Sequence, residues 1–150
     1  MKVVIKIKYL SFLLGFLLIS NKSFNQVKII SSGEDWQFYD ESFPPPFGWE
    51  KSDDFTKKWK KGISPLGYGD SSAKTIIKFG DDIKEKDITK YFQKKIRIDN
   101  PYQYLFYSLN IIRDDGAVVY INGKQAFKAG MPATWDFETH ANHTASGSDE

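Results

Sequence analysis

Arg113-Asp114-Asp115-Gly116-Ala117-Val118-Val119-Tyr120-Ile121-Asn122-Gly123 reads as a turn, a strand and a second turn. Asn-Gly between two apolar runs is a strong short hairpin signal, because both residues accept the positive φ that a two-residue turn demands. The spacing predicts a strand over Ala117–Ile121 and a return strand over Gln125–Ala129. The same grammar extends towards the N-terminus. Tyr104–Ile112 is a nearly continuous apolar run and is predicted as a central strand. Asp99-Asn100-Pro101 turns the chain before it. Tyr91–Ile98 alternates, with Phe92, Ile96 and Ile98 against Gln93, Lys95 and Arg97.

Further strands are expected over Trp36–Tyr39 and Thr75–Phe79. Pro44-Pro45-Pro46 makes a stiff extended loop without ladder donors. Pro65-Leu66-Gly67-Tyr68-Gly69-Asp70 is expected as a turn, and Asp81–Asp87 as a charged loop. Helix enters only over Ser52–Lys61. There Ser52 or Asp53 can cap, Phe55 and Trp59 share a face, and Gly62 is expected to end the turns. Short strands at regular spacing define an all-β class, a sandwich or jelly roll.

The first 25 residues predict export. Lys2, Lys6 and Lys8 form a basic start, and Leu10–Ile19 is an apolar run too short for a bilayer core of about 30 Å. That order fits a cleavable signal peptide over residues 1–25, with a secreted or surface destination and no stable membrane insertion after cleavage. A buried N-terminal helix or a signal anchor is the alternative. With Lys22, the leader removes four lysines, turning the formal +2 of the chain into −2. A mildly acidic remainder lacks the basic face that nucleic acid requires. The chain has no cysteine, so disulfides are excluded and the core must hold the domain.

Several blocks belong together. They are Trp36-x-x-Tyr39-Asp40, Leu66-Gly67-Tyr68-Gly69-Asp70, Phe79-Gly80, Thr89-Lys90-Tyr91-Phe92, the Arg113–Gly123 block and Met131-Pro132. In this order they resemble the galactose-binding-like jelly-roll domains that accompany larger secreted bacterial proteins. The companions of such domains include calcineurin-like metallophosphoesterases, lamin-tail proteins and spore-coat-kinase-like proteins. The resemblance spans residues 34–150 and implies a sandwich of roughly eight strands. It also implies further strands and a downstream domain of the same protein beyond residue 150. The strandless, polar run Trp135–Glu150 agrees with that, since the expected strands would leave a sheet edge open. The domain plan is thus a leader over 1–25 and a C-terminally incomplete β-sandwich over 26–150.

The candidate chemistry is that of binding. Asp114, Asp115 and Asp70 are candidate oxygen ligands for calcium, which takes six to eight of them. The Asp114-Asp115 pair also resembles the acidic pair of calcium-dependent sugar-binding adhesin domains. The plainer reading makes these residues turn formers, with Gly116 taking a positive φ. Trp49, Tyr68 and Trp135 are candidate platforms for a glycan, because sugars stack their C–H faces on aromatic rings; Trp59 is weighed beside them. The alternative is packing at the ends of the core. His140-x-x-His143 lacks the further ligands of a zinc set and reads as solvated loop. Lys57-Lys58-x-Lys60-Lys61 reads as the wet face of a short helix or as a contact for an anionic surface.

No Gly-x-Ser-x-Gly elbow, phosphate loop or phosphoesterase Asp-x-His and Gly-Asn-His block occurs. Adjacent acids in one turn are not the opposed carboxylates of a glycosidase, about 5–10 Å apart. The expected role is therefore a non-catalytic accessory module binding glycan or calcium. The alternative is the front end of a secreted hydrolase, such as a metallophosphoesterase, whose catalytic residues lie beyond residue 150.

Overall fold

The computed structural model describes residues 26–52 and 58–142. Outside the described residues lie the expected export leader, most of the expected helical turns with Asp53, Phe55 and Lys57, and His143 with the rest of the tail. The described residues are mostly strand and irregular backbone, with two 3-10 turns at Trp49–Lys51 and Pro101–Gln103. This is the all-β class that the patterning predicts. Among the described residues, no helix is long and apolar enough to cross a membrane.

Among the described residues, seven strands form three small sheets. β1 (Asp35–Tyr39) lies between β2 (Lys60–Ile63) and β5 (Tyr91–Gln93), antiparallel to both. Its central place follows from its composition. Consecutive residues of a strand point to opposite faces, and both Phe38 and Tyr39 are buried, so both faces of β1 are covered. β3 (Leu66–Gly67) and β4 (Thr75–Ile76) form a short parallel pair. β6 (Ala117–Ile121) and β7 (Lys124–Ala129) form a hairpin.

That hairpin matches the expectation closely. Ile121 pairs with Lys124, and Asn122 and Gly123 carry φ of 51° and 72°. The register shifts once, between Val119 (opposite Phe127) and Tyr120 (opposite Gln125), which leaves Ala126 as the extra residue of a bulge.

Three expectations are corrected. First, Tyr104–Ile112 forms no strand, and Leu105, Phe106 and Ile112 are exposed. β propensity is satisfied only by a partner ladder, and no strand among the described residues pairs with this run. Second, Lys60-Lys61-Gly62 is strand, so Gly62 ends no helix. A Cβ at Gly62 would come within 2.6 Å of the Thr75 methyl, so its lack of a side chain lets β2 and β4 approach. Third, the positive φ of the Asp114-Asp115-Gly116 turn falls on Asp115, at 57°. Gly116 serves close packing instead, since a Cβ there would stand 2.5 Å from Met131 Sδ and 3.1 Å from Ala141 Cβ. Aspartate is among the residues that visit the left-handed region readily, so it can take the strain.

The core is small and aromatic. Buried Tyr39 packs against Trp59, Phe43 and Tyr91, with ring centroids 5.6, 6.1 and 6.2 Å away. Trp49 extends this cluster to the hairpin through Trp59, Tyr91 and Tyr120, at 5.8, 5.4 and 6.2 Å.

Candidate functional site

Tyr68 follows directly on β3 and precedes Gly69, whose φ of 80° bends the chain outward. Its ring rests against Phe79 at 5.9 Å, at 67°, and Lys86 Nζ lies 5.4 Å from its centroid. Burial pushes the phenol pKa upward, and the charges of Asp114, Asp87 and Asp115 push it further. Those charges place the Asp114-Asp115 turn and the Leu66–Asp70 loop in one neighbourhood, although more than forty residues separate them. The result is a half-buried aromatic ring with one ammonium near its face, in the field of three carboxylates. Carboxylates accept from hydroxyls and an ammonium donates, so the group can hydrogen-bond a polyol while the ring covers an apolar face.

Asp70 stands apart from this group. Its Oδ1 accepts from the Ser72 backbone N–H at 2.8 Å, and its Oδ2 from the Ser72 hydroxyl at 2.8 Å. These two bonds hold its carboxyl below the usual range. The geometry is that of an aspartate stabilising its own turn. Arg113 donates to the backbone carbonyl of Asp115, tightening the second turn from outside. Among the described residues, no three His, Cys, Asp or Glu side chains stand together as a metal-holding group.

The other expected platforms lie elsewhere. Trp49 is half-buried in the aromatic cluster between the sheet and the hairpin. Trp135, on the loop after β7, is half-buried with Lys128 Nζ 4.6 Å from its ring centroid. The same ammonium donates to the Pro132 carbonyl at 2.6 Å, which fixes it over the indole. His140 is exposed. Lys58 and Lys60, expected on a helix face, instead approach the acids after β1: Lys60 Nζ is 2.6 Å from Asp40 and Lys58 Nζ 4.0 Å from Glu41.

Two further acids matter. Asp87, in the loop expected to be charged, pairs with Lys90 three residues on, and its charge acts on Tyr68. Asp40 is buried and links three segments of chain. No local pattern marks Asp40, because its partners are remote in sequence. Comparison with family models, with curated proteins and with solved structures finds no match for this chain. Its function is therefore argued from the site itself.

Proposed function

We propose that this chain is a non-catalytic binding module of an exported protein, a sandwich of the galactose-binding-like kind, whose ligand is a glycan. The observation that carries the reading is the half-buried Tyr68 ring, set against Phe79 with Lys86 Nζ 5.4 Å from its centroid and in the field of Asp114, Asp87 and Asp115. An aromatic face beside hydroxyl-binding carboxylates is the combination a sugar uses. Trp135, with its own fixed ammonium, offers a second platform. Calcium is the ion that the Asp114-Asp115 turn would take, with backbone carbonyls and ligand hydroxyls completing its oxygen shell. In this reading, catalysis belongs to another domain of the same protein.

The test is a glycan array probed with the full chain, followed by titration of any sugar retained. Tyr68→Ala and Asp114→Asn are expected to weaken binding at least about tenfold, about 1.4 kcal/mol. An array at background, or a retained sugar indifferent to both substitutions, would sink the glycan reading. Thermal melting with calcium and with chelator tests the ion separately, since a ligand of the native state raises Tm according to its concentration over its dissociation constant. Superimposable curves would remove calcium.

A further inference from the structure

A second cleft opens beside the loop after β1. Its volume is about 160 Å³, and its walls include Glu41, Phe43, Asp87, Tyr91, Phe137 and Glu138. Phe43 and Tyr91 both stand edge-on to buried Tyr39, at 78° and 81°, so one fixed ring positions two others. The Thr89 hydroxyl donates to the Phe137 carbonyl at 2.7 Å and ties the third ring's segment to the β5 side. The Tyr91 phenol is pushed up to about 12, first by burial and then by Tyr39, Asp136 and Tyr120, so this wall stays neutral at ordinary pH.

The charges around the cleft are unequal in effect. Asp87 is neutralised by Lys90, 2.6 Å away in a nearly buried pair. Lys86 also lines the cleft, with its Nζ 5.4 Å from the Tyr68 ring centroid. Glu41 is 4.0 Å from Lys58 Nζ, so the exposed Glu138 supplies the rim carboxylate left for a ligand. One alkylammonium already uses this chemistry: Lys58 Nζ lies 4.1 Å from the Phe43 centroid and 4.0 Å from the Glu41 carboxylate. Aromatic walls offer few oxygen ligands to a hard metal ion, whereas their faces attract a large, weakly hydrated cation.

We propose that this cleft binds an organic ammonium group, with Phe43, Tyr91 and Phe137 as its aromatic walls and Glu138 as its counter-ion. The proposal does not depend on the sugar face at Tyr68. It is tested by ligand-observed NMR titration of the full chain with tetramethylammonium and, in parallel, with neutral neopentyl alcohol. Tetramethylammonium is expected to saturate and the alcohol not to.

Phe43→Ala and the isosteric Glu138→Gln are each expected to weaken tetramethylammonium binding about threefold to tenfold. Both positions are solvent-accessible, and Tyr102→Ala, on an exposed residue away from the cleft, is expected to change nothing. Nα-acetyl-lysine amide and glucosamine, titrated alongside, distinguish a lysyl from an amino-sugar source of the ammonium; saturation by neither points to a quaternary one. Equal binding of the alcohol, no saturable binding of tetramethylammonium, or wild-type affinity in both cleft variants would overturn the proposal.

Discussion

Asp40 is a buried carboxylate on which three distant segments meet. Its Oδ1 accepts from Lys60 Nζ at 2.6 Å, and its Oδ2 from the Lys78 backbone N–H at 3.0 Å. Lys90 Nζ lies 3.5 Å from its carbonyl oxygen. Burial by itself would raise its pKa. The Lys60 and Lys78 hydrogen bonds and the two lysine charges outweigh burial and hold the carboxyl below its ordinary 3.8. A depressed folded-state pKa stabilises the fold above the unfolded value, and that contribution is lost as pH falls through the folded value.

Asp40→Asn is therefore expected to cost about 1–3 kcal/mol at neutral pH, the range for an impaired buried hydrogen bond to a charged group. Urea unfolding measures it. The gap between the two proteins should shrink below about pH 4, because the wild-type carboxylate then protonates. A gap unchanged down to pH 2 would show that the charge of Asp40 does not matter. Asp40 was legible in the sequence only as one letter of a block, since its partners lie twenty to fifty residues away.

Among the strands, legibility tracked how local the controlling chemistry is. The β6–β7 hairpin was readable because Asn122-Gly123 and its flanking apolar residues are contiguous. β2 was not, because Lys60-Lys61-Gly62-Ile63 carries no strand signature and forms where β1 offers a free edge. The Thr75 side chain links it to the next sheet. Thr75 Oγ1 accepts from Ile63 N–H at 2.7 Å and donates to the Ile63 carbonyl at 2.9 Å. Gly62 leaves room for that approach.

Thr75→Val keeps the shape and removes both bonds, so a loss of about 1–2 kcal/mol is expected. Gly62→Ala should be destabilising as well. The pair should be non-additive, because the two residues touch. A double-mutant cycle by thermal melting checks this; strict additivity would place the sheet-to-sheet link elsewhere.

Across the described residues, the buried core hydrophobic side chains are few: Phe38, Tyr39 and Ile77. Meanwhile Leu105, Phe106, Leu109 and Ile112 stand exposed along one extended run. Such a run presents apolar side chains together with backbone outside the sheet ladders, a combination that promotes association and dye binding. The full chain is expected to bind a hydrophobic dye and to sediment as concentration-dependent oligomers. Phe106→Ser with Ile112→Ser should reduce both, whereas a monodisperse, dye-silent wild type would contradict the exposed placement.

Composition and punctuation by themselves determined the all-β class and the hairpin, because each depends on residues adjacent in the chain. Tertiary structure alone decided which strands found partners, Leu66–Gly67 among them where a turn was expected, why Gly62 and Gly116 must lack side chains, and how the charges of Asp87, Asp114 and Asp115 come to act on Tyr68. These depend on close approach and on Coulomb interactions between segments far apart in sequence, and no local pattern encodes such distances. The stretch from Arg113 to Gly123 shows both at once: its turn and strand were readable, but the packing of Gly116 against Met131 and the field of its acids at Tyr68 required the fold.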